Sequence, residues 1–198
     1  MLADIKHIRT MPKPGSRVFP EHEMNVIGLS GWSGAGKTTL LSRVIPHRLG
    51  QGLRVSVIKH AHHEFDVDVP GKDSWRHRQS GATEVLVSST QRWALMHELR
   101  GAGEPRLPEL LAKLSRVDLV VIEGFKREPH HKIEVHRIAN DKPLLFPGDP
   151  DIVGIATDAV VETTLPVVHL DDVEAIASLM QRSAIPVEQV LARSVSGG

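Results

Sequence analysis

At 198 residues the chain has the length of one domain with a substantial core, and is too short for two full domains without a clear boundary. Its 24 basic and 24 acidic side chains balance, so no global field favours nucleic acid or an anionic membrane, and any anionic ligand has to be held locally. Cysteine is absent, which excludes disulfides, thiolate metal sites and a cysteine nucleophile, and no apolar run approaches the roughly 20 residues that span a bilayer. Residues 1–20 lack the apolar stretch of a secretory signal, so a cytoplasmic protein is expected.

Residues 1–23 place Lys6, Arg9, Lys13 and Arg17 among Pro12, Pro14, Gly15 and Pro20 without a sustained period. They read as a flexible extension, a solvated tail or a basic arm for a partner. The domain proper is expected over 24–182, with a tail over 183–198. A short apolar run at 24–30 predicts a buried strand, a glycine-rich break follows, and helical spacing sets in over 38–49. Gly50 and Gly52 end that helix, and a second strand is predicted over 54–58. A short helix over 72–80 leads to strands at 83–88 and 92–98, which read as a hairpin. A helix at 107–114 feeds the apolar strand 117–122. Residues 132–138 alternate and predict a partly exposed strand; 152–156 reads as a buried strand and 167–168 as a short last one. The helix over 171–180 has Asp171 or Asp172 to cap it. Strands alternating with helices predict an α/β three-layer sandwich with a mainly parallel sheet and an antiparallel edge hairpin.

The glycine-rich break carries the firmest signal. Gly31-Trp32-Ser33-Gly34-Ala35-Gly36-Lys37-Thr38 matches the phosphate-binding pattern G-x-x-x-x-G-K-[ST] at every fixed position, and Thr39 follows it. Chance produces those fixed positions in a chain this long on the order of once in a hundred, and the flanking strand and helix make accident rarer. Glycines let consecutive backbone N–H groups turn inward around an anion, and the helix adds its positive amino end. Lys37 then reaches the β and γ phosphates, and the Thr38 hydroxyl ligates Mg²⁺. Trp32 is placed either to pack over the phosphates or to cover the loop.

Magnesium on a triphosphate calls for a nearby carboxylate, and the strand over 117–122 is bordered by two, Asp118 and Glu123. Ligands of parallel α/β sheets bind at the carboxyl ends of strands, and five residues at about 3.3 Å each separate the two by roughly 16 Å. Only Glu123 falls at that end, and Gly124 beside it allows close approach. By the same rule residues 59–68 leave the second strand at the functional edge. Asp66 and Asp68 are candidates to complete the magnesium shell or to position the attacking water. His60, His62 and His63 are candidates for phosphate oxygens or for a transition metal, although neighbouring loop histidines need not converge. Arg76, Arg78 and Lys126 are candidates for an added positive charge.

These segments together resemble one family. Gly31 to Thr39, Lys59-His60-Ala61-His62-His63, Asp66-Val67-Asp68-Val69-Pro70-Gly71-Lys72-Asp73-Ser74, Gly81-Ala82, Gln91-Arg92-Trp93-Ala94 and Glu123-Gly124-Phe125-Lys126 are similar to the molybdopterin-guanine dinucleotide biosynthesis protein B (MobB) family, over about residues 24 to 180. The resemblance implies a P-loop fold, GTP and Mg²⁺ as ligands, weak GTPase activity and a homodimer. It implies an adapter to the guanylyltransferase that makes the guanine dinucleotide form of molybdopterin, with molybdopterin-processing proteins as further partners. On this reading Lys37, Glu123 and Asp68 serve hydrolysis, and Thr38, Asp68 and Glu123 hold the metal. The Asn/Thr-Lys-x-Asp run of common guanine readers does not occur, so GTP over ATP rests on the resemblance. Asp158, just past a predicted strand end, is the nearest candidate to accept from the guanine N1 and N2 hydrogens. The alternatives are a kinase acting on a small anionic substrate bound by residues 60–78, and a metal-delivery protein using the clustered histidines.

Overall fold

The computed structural model describes residues 23–61 and 65–196, so the expectations for residues 1–22 and for His62 and His63 lie outside it. In chain order the elements are β1 (Asn25–Ser30), α1 (Lys37–Gly50), β2 (Val55–Lys59), α2 (Asp73–Gln79), β3 (Glu84–Ser88), β4 (Trp93–His97), α3 (Leu107–Leu111), β5 (Leu119–Glu123), β6 (Lys132–His136), β7 (Ile152–Thr157), β8 (Val167–His169), α4 (Val173–Ser183), β9 (Ile185–Pro186) and α5 (Val187–Ser196). Six strands run in the order β2-β5-β1-β6-β7-β8, all neighbours parallel, and β9 pairs antiparallel with the start of β1.

The sheet is central because its strands are apolar on both faces. Ile27 and Leu29 of β1 join Leu119 and Val121 of β5 in a core covered by Leu40, Leu41 and Val44 of α1 and by Ile176, Leu179 and Met180 of α4. Val26, Val120 and Ile122 point the other way, onto Leu107 and Leu111 of α3 and Val190 of α5. Each such side chain contributes about 1.5–3 kcal/mol on leaving water. This is the three-layer sandwich expected of a P-loop fold. The Asp172 carboxylate caps α4 by accepting from the Ala175 amide at 2.9 Å. Among the described residues no helix is long and apolar enough to cross a membrane.

Three features depart from the sequence-based expectation. The hairpin β3-β4 is present as its own two-stranded sheet rather than as a bonded edge of the large one. The strand expected to be partly exposed, β6, lies between β1 and β7 and is buried. Its charged residues are matched inside: the Lys132 ammonium stands 3.2 Å from Asp149, and the Glu134 carboxylate accepts from the Leu145 and Phe146 amides at 2.7 and 2.9 Å. Finally, of the tail expected over 183–198, the described residues up to 196 are part of the packed unit, since β9 pairs with Asn25 and Val26 and α5 buries Val187 and Val190.

His130, just before β6, is fully buried. Burial, with the Lys132 ammonium adding to it, pushes its imidazole down to about 4 from the usual 6.5. The unfolded chain therefore binds more protons between those values, and stability falls as pH drops through that window. A loss of as much as about 3 kcal/mol between pH 6.5 and 4 is expected from a shift of this size. Denaturant titrations across that range check it: His130→Leu should flatten the pH slope relative to wild type, whatever it does to stability at neutral pH.

Candidate functional site

The loop between β1 and α1 turns on three glycines with positive φ, Gly31 at 145°, Gly34 at 84° and Gly36 at 92°. A Cβ on Gly31 would collide with the Val135 carbonyl, and one on Gly34 would stand 2.8 Å from the Asn140 Oδ1. Glycine is thus required twice over, by conformation and by space. Ala35 is buried and anchors the loop in the core, while Ser33, Thr38 and Thr39 face outward. The Lys37 ammonium folds back and donates to the Gly31 and Trp32 carbonyls at 2.8 and 2.9 Å. The Trp32 indole donates to the Pro143 carbonyl at 2.8 Å, and the Lys126 ammonium lies 5.2 Å from its ring centroid. Trp32 covers the loop, one of its two expected placements.

Glu123 ends β5 where the sheet rule put it. The register sets Glu123 opposite Leu29 of β1 and opposite Lys59 of β2. Its Oε1 accepts from the Thr38 hydroxyl at 2.9 Å and lies 3.7 Å from the Lys59 ammonium. Behind it the chain turns through Gly124 and Phe125, both at positive φ. A Cβ on Gly124 would stand 2.6 Å from the His60 Cβ, so the glycine lets the β2 and β5 exits touch. The Lys37 pKa is lowered: burial is the main cause, Glu123 opposes it, and the neighbouring Lys126 and Lys59 charges add to the lowering. A buried carboxylate, a hydroxyl and a group of ammonium ions therefore meet at the mouth of the loop in a chain of zero net charge.

The remaining candidates separate. Both Asp68 oxygens are taken by Arg78, at 2.6 and 3.1 Å, and the same guanidinium reaches Asp66 at 2.7 Å and Glu98 at 2.8 Å. This hydrogen-bonding holds the Asp68 carboxyl below its usual range. In this structure Asp68 therefore ties the loop before α2 to Arg78, and through Arg78 to Glu98 beside the hairpin, rather than pairing with Thr38 or Glu123. Arg78 is likewise committed. His60 pairs with Glu104 at 2.6 Å and packs on Phe125 at 4.7 Å between ring centroids. Among the described residues no group of three His, Cys, Asp or Glu side chains is placed to hold a metal.

Asp158 follows β7 and accepts from the Ile138 amide at 2.8 Å, which is the main reason its carboxyl titrates low; Arg137 lies 3.5 Å from its other oxygen. The turn Ile138–Asn140 returns to the loop, the Asn140 side chain donating to the Ser33 carbonyl at 3.0 Å. Lys59, quoted in the resembling segment without a role, and Arg137 and Asn140, which belong to no motif, also stand beside the loop or Glu123. The first two stand at, or one residue past, the carboxyl end of a strand, so the rule that located Glu123 reaches them too. A cavity of about 730 Å³ lined by Asn25, Arg48, Asp118 and Leu119 opens at the amino ends of the strands, away from the loop.

Comparison with known proteins identifies a family and a fold. Residues 26–158 match the profile of the MobB family, described as molybdopterin guanine dinucleotide synthesis protein B. The chain is similar to the molybdopterin-guanine dinucleotide biosynthesis adapter protein of Escherichia coli, at 39% identity over 78% of this chain and 90% of that one. The protein of the same description from Haemophilus influenzae is 38% identical, over 83% and 92%. A crystal structure of molybdopterin-guanine biosynthesis protein B superposes with a TM-score of 0.64 at 28% identity, covering 79% of this chain and 98% of the other.

The role of Asp68 is open to a direct check. Asp68→Asn and Arg78→Gln should lower the melting temperature by similar amounts, and the double variant should melt no lower than the worse single, as coupled partners do. Nucleotide affinity should stay at the wild-type level. Magnesium-dependent binding lost in Asp68→Asn at an unchanged melting temperature would return this carboxylate to the site.

Proposed function

The chain belongs to the molybdopterin guanine dinucleotide synthesis protein B family, and from that premise we propose that it is a GTP-binding adapter of molybdenum-cofactor biosynthesis with slow, magnesium-dependent GTPase activity. The observation that carries this reading is the meeting of the Thr38 hydroxyl and the Glu123 carboxylate, 2.9 Å apart, at a loop built for phosphates. Two hard oxygen donors beside a phosphate cradle suit Mg²⁺, which takes few protein oxygens and fills its shell with water and phosphate. Thr38 and Glu123 would hold that ion. When bound, it supplies charge neutralisation on the β and γ oxygens.

The chain's own groups account for the rest. The amides over Gly31 to Thr38 and the amino end of α1 receive the phosphates, with Thr39 in the first turn. Lys37, now resting on the Gly31 and Trp32 carbonyls, would exchange those neutral acceptors for phosphate oxygens, a stronger charge-assisted pairing. Lys59 and Lys126 add local positive charge around Glu123. Slow turnover fits the commitment of Arg78 to three carboxylates, since a mobile arginine aimed at the γ phosphate typically adds about 10³ to 10⁵ in rate. The same commitment, with His60 held by Glu104, weighs against residues 60–78 as the acceptor pocket of a kinase.

The partner in this reading is the guanylyltransferase that forms the guanine dinucleotide cofactor, in the cytoplasm, with molybdopterin-processing proteins nearby. The relatives described as adapters support it. A homodimer is supported by the hairpin: Leu86, Trp93 and Leu95 share one face of β3-β4 and are 61%, 66% and 45% exposed. A lone two-stranded sheet is marginal in water, and a second copy would cover that face.

Two outcomes are expected. Lys37→Ala should weaken GTP binding by on the order of a hundredfold, and Glu123→Gln should reduce magnesium-dependent phosphate release more than binding. Calorimetric titration and a phosphate-release assay read both, and ATP displacing labelled GTP at equal concentration would remove the guanine assignment. Separately, Leu86→Glu with Trp93→Ser should give a folded monomer by sedimentation where the wild type sediments as a dimer; a monomeric wild type would count against the homodimer.

A further inference from the structure

Strand β6 lies directly beside β1, so the chain leaving β6 emerges next to the phosphate loop leaving β1. The first residue out is Arg137, in extended conformation at φ −134° and ψ 127°, and the turn Ile138–Asn140 follows. That turn is clamped from two sides. Asp158, leaving the next strand β7, accepts from the Ile138 amide at 2.8 Å, and Asn140 donates to the Ser33 carbonyl of the loop at 3.0 Å. The Arg137 side chain thereby lies between Asp158 and the Gly36 end of the loop. Its Nη1 lies 3.5 Å from Asp158 Oδ2, while Nη2 and Nε lie 3.8 and 3.9 Å from the place a Cβ on Gly36 would take. Gly36 has φ 92° and carries no side chain, so nothing from that residue intervenes between the guanidinium and the loop.

The chemistry of the guanidinium decides what this placement serves. Arginine presents five N–H donors in a planar fork that matches phosphate oxygens two at a time. The single contact to Asp158 occupies one corner, and the side chain is 43% exposed, so the edge carrying Nη2 and Nε is open to another anion. Deepening the nucleotide-binding reading above, and resting on it, we infer that Arg137 binds the phosphates of the nucleotide held by the Gly31 to Thr38 loop and that Asp158 is its positioning residue. This moves Asp158 away from the base: one of its oxygens accepts from the Ile138 amide and the other faces the Arg137 guanidinium.

The test uses a probe without a base. Binding of GTP and of inorganic tripolyphosphate, the latter by competition, is measured in magnesium for wild type, Lys37→Ala, Arg137→Ala, Arg137→Lys and Asp158→Asn, with the salt dependence of each affinity. Arg137→Ala should lose on the order of tenfold or more for both ligands alike and show a shallower salt slope, as a lost phosphate contact requires. Arg137→Lys should recover part of the affinity, and Asp158→Asn should lose less than Arg137→Ala, again equally for both ligands. Arg137→Gln replaces the alanine variant if that one melts early. Wild-type affinity in Arg137→Ala overturns the inference, and so does a loss confined to GTP with tripolyphosphate unaffected, which would assign the pair to the base. If wild type binds and Lys37→Ala does not, such a result removes this inference alone. If wild type binds neither ligand, the nucleotide reading falls and this inference with it.

Discussion

Glu123 is held in place by three strands at once, and the site follows from that register. Parallel pairing aligns the ends of β2, β5 and β1, so that Lys59, Glu123 and Leu29 stand side by side at one edge of the sheet. The chain leaving β1 winds into α1 within a few residues and brings Thr38 back over the same edge, within 2.9 Å of the carboxylate. Neither the loop nor the carboxylate would make this contact if β5 were slipped by one residue, because a slip sends every side chain of a strand to the opposite face.

The loop depends on support beyond its own glycines. Trp32 is tied to the Pro143 carbonyl, Ser33 to Asn140, and Gly31 lies against the Val135 carbonyl of β6. These contacts come from β6 and from the stretch that joins it to β7, so the neighbouring strand and its exit act as a brace for the phosphate cradle. A preformed cradle lowers the ordering cost that a ligand would otherwise meet. The charge distribution follows the same economy of place. A chain with no net charge gathers Lys37, Lys59 and Lys126 around one buried carboxylate and sets Arg137 beside Gly36 of the loop, and so presents a local positive field to an anion.

The interior of the sheet shows how polar residues survive at its centre. Lys132 and Glu134 alternate along β6 as they would on a half-exposed strand, yet both are buried because residues 145–151 fold over that face with two aspartates and two backbone amides. Each buried charge thereby has a partner, which is the condition for keeping it inside. His130 meets the same interior differently, by staying neutral.

Much of the molecule was legible in the residues alone. The glycine spacing, the lysine and threonine after it and the apolar runs of β1 and β5 are local patterns, and local geometry alone dictates them; the sheet rule then placed Glu123. Pairing between distant segments was not legible. Asp68 and Arg78 are ordinary site candidates in sequence, and only folding brings both oxygens of one onto the other. β9 is two residues long, too short for any period to reveal, and exists because β1 has an open flank beside it. Arg137 and Asp158 carry no motif, and become neighbours because β6 and β7 are adjacent strands. Sequence determined the chemistry of the loop, since its conformation is set by adjacent φ and ψ angles. Tertiary structure decided which charges serve that loop and which serve the fold, because a side chain's partner is fixed by strand order, and strand order is a property of the whole chain.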